Sequence, residues 1–340
     1  MSELVVARTH GPIGYLELNR PQKINALNLP MLTALDGILR RWAEDRTVQL
    51  VVLGGRGERG FCAGGDIAAF HQAVTSGEHA AFHDLLALEF VIDHFLSAYP
   101  KPVLSLAHGI TMGGGIGLAS HAPVRVVTRD ARMGMPETRI GYTPDVGGSH
   151  LLARSPGYFG EYFAMTAGSF TGADAPFLGF ADVVLPAGTL PGLLDELDDL
   201  IGLDAGQMIA SLELLHGSVA PSPLEAEQGW IDHAFSADSP AEVLARLDAM
   251  VHPRAAAAAA AIRANSPTSV TSAFLAVRAA RAEDHLRSAL DRELRLADYL
   301  MHLPDLAEGI RAQVIDKDRN PAWSPGTLDE VDIPALTALM

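Results

Sequence analysis

The sequence predicts an α/β fold that gives way to a helical C-terminal region. Three features predict it: short apolar runs with strand character that end at glycines, helix-period segments between them, and the loss of strand patterning beyond about residue 190. Residues 1–190 are therefore expected to form the α/β core. Residues 191–340 are expected to form a helical region covering or associating with it.

Taken in order, residues 4–8 (LVVAR) and 13–18 (IGYLEL), separated by His10-Gly11-Pro12, read as a β-hairpin. A proline-interrupted loop, NRPQKINALNLPML, opens into a helix from Leu29 to Asp45. Its apolar positions Leu32, Leu35, Ile38, Leu39 and Trp42 fall on one face. Val48 to Leu53 reads as a buried strand ending at Gly54-Gly55. Gly55, Gly57 and Gly60 match G-x-G-x-x-G, but no helix opens directly after them and no acid closes a second strand, so a dinucleotide site is not expected.

The turn FCAGGDI precedes a helix from Asp66 to Val74, and Asp66 reads as its N-cap. Cys62, among apolar neighbours, reads as buried filler and not as a nucleophile. His79 and His83 stand at i, i+4 on the next helix, which runs to Ala98. Without an H-E-x-x-H arrangement or a cysteine partner they read as a solvated face, and no metal site is expected. Glu89 sits in the apolar run of that helix, and the residues alone favour the exposed stripe for it.

The stretch Lys101 to Gly148 concentrates the chemistry. Val103 to Ala107 reads as a buried strand, Gly113-Gly114-Gly115 as a turn, and Ile116 to His121 as helix. A strand, a glycine turn and a helix start leave backbone N–H groups uncommitted. Such donors stabilise a phosphate or the oxygen charge on an attacked carbonyl. The competing reading is that the glycines only permit a tight turn with close helix packing. After a closing strand at Ala181 to Leu185, helices succeed one another to residue 316, broken at Pro221, Pro240, Pro253, Pro267 and Pro304. Arg254 to Ala264, with seven successive alanines, reads as ordered helix, since alanine is the best helix former.

Composition narrows the function. Hydrophobic residues make up 48% and charged ones 19% of the 340 residues, with no run near the roughly 18 apolar residues of a membrane span. The acid-bearing N-terminal stretch matches neither a secretory nor a transit pattern, and a single cysteine suits a reducing compartment, so a cytoplasmic location is expected. A net charge of -16 argues against nucleic acid and membrane partners. A ligand bearing phosphates would need local cations, for which Arg20, Lys23, Arg56, Arg59 and Lys101 are candidates.

The ordered phrases FCAGGDI, KPVLSLAHGITMGGGIGLA, MPETRIGYTPDVGG and TG-x-x-x-x-x-x-x-G-x-ADVV resemble the enoyl-CoA hydratase/isomerase (crotonase) superfamily. Within it HGITMGGGIGL, MPET, IGYTPDVGG, SPTS at 266–269 and EGIRAQVIDKDRNPAW at 308–323 resemble the 3-hydroxyisobutyryl-CoA hydrolases, which extends the likeness to nearly the whole chain. The resemblance implies an α/β crotonase-type spiral of ββα units and an oxyanion hole built from the amides of Gly65 and Gly114. It also implies an acyl-CoA substrate whose coenzyme A is part of the substrate, with no separate cofactor. Superfamily members often form trimers, so a homo-oligomer is one expectation; the helical extension folding back over its own subunit is the other.

Hydratases of this superfamily use two glutamates, one of them two residues after the glycine triplet. That position is Gly117 here, while the second, Glu137, is present. Asp145, eight residues beyond Glu137, stands where the hydrolases carry an acid. The resemblance thus implies Glu137 and Asp145 as the catalytic pair; the plain alternative is an N-cap for Asp145 and a buried salt bridge for Glu137. By spacing, 23 residues before Met112, Glu89 matches a substrate-binding acid of the hydrolases, whose adjacent second acid is Leu88 here. Coenzyme A is implied to run past Ala26 and past Ala63, Asp66 and Ile67.

Overall fold

The computed structural model describes residues 3–216 and 221–340, and the chain divides into two compact units. One contains residues 1–65, 88–133 and 170–222; the other contains residues 66–87, 134–169 and 223–340.

The first unit is built on a six-stranded sheet. Its strands are β1 (Val5–His10), β2 (Ile13–Leu18), β3 (Leu50–Gly55), β4 (Val103–Ala107), β6 (Val124–Thr128) and β9 (Val183–Leu185), in the order β1-β2-β3-β4-β6-β9. The short strands β5 (Ile110–Met112), β7 (Arg132–Gly134) and β8 (Ser169–Thr171) make a second sheet. The hairpin β1-β2 is antiparallel and every later pairing in the large sheet is parallel. A parallel centre must be covered on both faces, which is why β4 is buried along its whole length.

Ile13, Leu50, Val52, Leu104, Val126 and Leu185 face one side, where Leu193, Leu197, Leu200, Met208 and Leu212 of the segment 190–216 pack on them. Gly14 points the other way, because side chains alternate along a strand. There the helix Leu29–Glu44 approaches so closely that a Cβ on Gly14 would lie 2.8 Å from the Trp42 ring.

The strand expected at Val48 to Leu53 runs from Leu50 to Gly55. Gly54 and Gly55 stay on the ladder because Glu17 and Leu18 pair with them, and a Cβ on Gly55 would meet the Phe61 carbonyl at 2.3 Å. Asp66 occupies the N-cap position of the helix Ile67–Thr75, but its side chain makes no capping hydrogen bond there, so the expected cap is absent.

The second unit is mainly helical. The helix Pro267–Glu283, the alanine-rich helix Pro253–Ala264, and the helix Leu286–Leu300 pack with the helices Gly148–Ala153 and Phe159–Thr166. Buried Glu161 receives Arg278 and Arg281, each at 2.8 Å. His79 and His83 are not a bare solvated face: His79 stacks on His302 with centroids 4.3 Å apart, and His83 Nδ1 lies 2.7 Å from Asp298 Oδ1. Among the described residues no group of three or more His, Cys, Asp or Glu side chains could hold a metal ion. No helix there is long and apolar enough to cross a membrane.

Candidate active site

In the first unit two glycine turns meet. Cys62 and Met112 are tied by Cys62 N to Ile110 O (3.2 Å) and Met112 N to Cys62 O (3.0 Å), which lays FCAGG beside TMGGG. Gly64 is left-handed, with φ of 93°, and a Cβ there would lie 3.4 Å from the amide nitrogen of Gly114. Each glycine of the triplet has its own reason. Gly113 has φ of 49° and ψ of -122°, a conformation in which a side chain is strained. A Cβ on Gly115 would be 2.4 Å from the Cys62 carbonyl oxygen, and one on Gly114 would be 2.0 Å from Glu89 Oε1. Close packing and free donors therefore coexist. The amides of Gly65 and Gly114 donate to no backbone or side-chain acceptor among the described residues.

Glu89 lies against Gly114 because its helix, His79–Ser97, is buried on more than one face. Glu89 itself is only 2% exposed, where the residues alone had favoured the exposed stripe. Burial pushes its carboxyl well above the ordinary carboxylate range. Asp93, one turn further on, is fully buried too, and sequence reasoning had not singled it out. Burial pushes the Cys62 thiol up to about 12, with the charges of Glu89 and Asp93 adding to the effect. Cys62 is thus the buried filler its apolar neighbours suggested.

Ala26 and Ala63 come together at the same turn. Ala63 N donates to Ile24 O (2.9 Å) and Leu27 N to Gly64 O (2.8 Å). The residue that organises this contact is Asn25, which sequence reasoning missed. Ile24 and Asn25 have φ of 49° and 54°, a strained pair costing about 1–3 kcal/mol each. The fully buried Asn25 side chain offsets that cost by donating to the carbonyls of Arg56 (3.0 Å) and Phe61 (2.9 Å) and accepting from Arg20 N (2.8 Å). Asparagine tolerates the left-handed region, and that is the only local sign of its role. Among the candidate cations Arg56 is taken by Glu17 (3.1 Å) and Lys101 by the carbonyls of Trp42 and Asp45, whereas Lys23 and Arg59 stay exposed.

The second unit carries Asp66, Ile67, Glu137 and Asp145. Glu137, 7% exposed, starts the 3-10 turn Glu137–Ile140, and Asp145, 6% exposed, ends the loop after it. The C-terminal motifs hold this segment. A Cβ on Gly141 would lie 2.1 Å from Asp305 O, and one on Gly309 2.3 Å from the Ile140 carbonyl carbon. Ser266, first residue of SPTS, caps the helix Pro267–Glu283 through Ser269 N and donates to Asp305 Oδ2 at 2.5 Å. Ser266 N also donates to Thr138 O (3.3 Å), and Asn265 Nδ2 to Met165 O (3.0 Å).

Asp145 is not the cap of the helix that follows. Gly147 holds the N-cap position of Gly148–Ala153, and the amides of Gly147 and Ser149 both donate to the carboxylate of Glu293. Asp145 O accepts from Gly148 N (2.6 Å), and Val146 and Gly147 follow with φ of 53° and 73°. A β-branched residue there is a genuine outlier.

The family model described as enoyl-CoA hydratase/isomerase matches residues 13–340. The chain is 34% identical over 335 residues to the mitochondrial 3-hydroxyisobutyryl-CoA hydrolase of Gallus gallus, covering 96% of this chain and 86% of that protein. It resembles a solved carnitinyl-CoA dehydratase from Mycobacterium thermoresistibile with a TM-score of 0.91 at 37% identity, over 99% of this chain and 96% of that one. An enoyl-CoA hydratase from Rhodobacter sphaeroides 2.4.1 gives a TM-score of 0.90 at 38% identity over the same shares. These likenesses run through both the glycine turns and the C-terminal helices, and the chain belongs to the enoyl-CoA hydratase/isomerase family, the crotonase superfamily.

Proposed function

We propose that the protein hydrolyses a short-chain β-hydroxyacyl-CoA thioester, with 3-hydroxyisobutyryl-CoA, an intermediate of valine degradation, as the substrate and 3-hydroxyisobutyrate and coenzyme A as products. The observation that carries the reading is Gly117. It lies in the buried helix Gly114–Ser120, where a hydratase of this superfamily needs a carboxylate, and the reading takes Glu137 and the buried Asp145 as the catalytic pair instead.

In this reading the amides of Gly65 and Gly114 receive the thioester oxygen, each worth about 3 kcal/mol as charge develops on it. Glu137 drives attack on the carbonyl carbon, either directly through a mixed anhydride or by deprotonating a water. The C–S bond breaks, the thiolate takes a proton, and one water is consumed, at the acyl carbon when Glu137 deprotonates it or at the glutamyl carbon when it opens the mixed anhydride. Asp145 binds the substrate hydroxyl and assists the water step. Glu89, kept protonated by burial, can donate a hydrogen bond to the acyl group. Coenzyme A passes Ala26, Ala63, Asp66 and Ile67, with Lys23 and Arg59 as cations for its phosphates.

A hydratase reading is favoured by the likeness to the solved carnitinyl-CoA dehydratase and enoyl-CoA hydratase. The two separate on one plate. Hydrolysis predicts free thiol from 3-hydroxyisobutyryl-CoA and negligible hydration of crotonyl-CoA; the reverse pattern discards it.

A further inference from the structure

The acid-bearing loop is anchored from far along the chain. Glu293 lies on the helix Leu286–Leu300 and is fully buried. Its Oε2 accepts the Gly147 amide at 2.7 Å, and its Oε1 accepts the Ser149 amide at 2.9 Å and the Ser149 hydroxyl at 2.5 Å. Both oxygens are thus spent on two residues, Gly147 and Ser149, within four positions of Asp145. As the hydrogen bonds stand, these partners match an ionised carboxylate. All three are donors, so a carboxamide would turn its NH2 toward one of them and lose that bond.

The anchor meets the loop where the loop most needs one. Val146 and Gly147 are consecutive left-handed residues, and the strain at the β-branched Val146 persists only when its surroundings over-determine it. The local bond from Gly148 N to Asp145 O closes the turn but does not fix the turn in the unit. Glu293 does. Burial raises the Glu293 carboxyl to about 7, while the bonds from Ser149 and Gly147 and the charge of the neighbouring Arg292, 1% exposed and paired with Glu283, favour its ionised form.

We propose that Glu293 is the positioning residue of the hydrolytic site, acting through the Gly147–Ser149 backbone to hold Asp145 in its working position. The proposal rests on the reading of Asp145 as a working acid. The hydrogen bonds of the Glu293 carboxylate given above all come from Gly147 and Ser149.

The test uses the full chain carrying Glu293→Gln, with Ser149→Ala as a milder variant that removes only the hydroxyl bond and serves if the first does not fold. Hydrogen exchange of the segment 145–149 should accelerate at least about 10-fold in Glu293→Gln while the rest of the second unit stays protected. Unchanged protection of that segment overturns the anchor. On 3-hydroxyisobutyryl-CoA, kcat should fall roughly 10- to 100-fold with KM within about threefold. In an Asp145→Asn background the same substitution should cost less than about twofold, since residues acting as a unit are non-additive. A full multiplicative loss in that background overturns the proposal, because Glu293 would then act independently of Asp145. Should the wild type release no thiol from any thioester, the functional reading fails, and the exchange measurement still decides for or against the anchor.

Discussion

The carboxyl of Glu89 rests on the Cα of Gly114, so close that a Cβ there would sit 2.0 Å from Oε1. This contact joins the acid of the helix His79–Ser97 to the turn whose amide is the proposed oxyanion donor. A helix would ordinarily gain from Gly→Ala at such a place. Here the methyl must displace a buried acid. Gly114→Ala is expected to fold, with a melting temperature within a few degrees of wild type, and to lose about 10²-fold or more in turnover. Adding Glu89→Ala should relieve the clash without restoring activity. Full activity in Gly114→Ala would show that the contact is incidental.

The buried acids give stability an unusual pH dependence. Burial raises the carboxyl of Glu293 from 4.5 to about 7, and raises Glu89 as well. A raised folded-state pKa means that the native protein keeps a proton the unfolded chain releases. The contribution is therefore complete below about pH 4.5 and is lost as pH rises through about 7 for Glu293, and over the range above 4.5 for Glu89. Glu89→Gln has no such proton to lose. Urea midpoints measured from about pH 5 to about pH 8 should fall for wild type relative to Glu89→Gln. Parallel curves would contradict the burial argument.

Cys62 has no exposure, and its thiol is pushed up to about 12. A thiolate is the reactive form, so the native protein should resist thiol reagents and become labelled only as urea unfolds it. Rapid labelling of the folded protein would contradict the buried placement. Resistance also leaves a thiol-release assay free of signal from the enzyme.

What was legible from the residues was local. The hairpin, the buried strands and the glycine turns follow from short apolar runs and from residues that permit left-handed backbone, and these signals span fewer than ten residues each. Glu89 was misread because the apolar positions of its helix wrap around it, and only the tertiary neighbour Gly114 reveals that the acid points inward. Asp66 stands at a helix start, yet position alone does not make a cap. Glu293 left no trace at all. Its partners lie about 145 residues earlier, and nothing in the run DRELRLADYL separates it from an ordinary surface acid. The phrases SPTS and EGIRAQVIDKDRNPAW carried a family likeness before they carried a reason. The reason is that Ser266, Asp305 and Gly309 grip the backbone between Thr138 and Gly141.

If Glu137 attacks directly and water then opens the anhydride at the glutamyl carbon, a single turnover in 18O-water leaves the first acid product unlabelled, because its new oxygen comes from the side chain. Label enters the acid only in later turnovers. If Glu137 instead deprotonates water, the first product carries the label. Mass spectrometry of the released acid under enzyme excess decides between the two, and either outcome is compatible with Glu137 as the essential acid.

The most direct measurement compares thiol release from 3-hydroxyisobutyryl-CoA by wild type, Glu137→Gln and Asp145→Asn, with binding of the thioester followed in parallel. The account predicts robust release by wild type and losses of at least about 10²-fold in both variants while binding is kept. Wild-type release no faster than background, or variants that turn over like wild type, would contradict it.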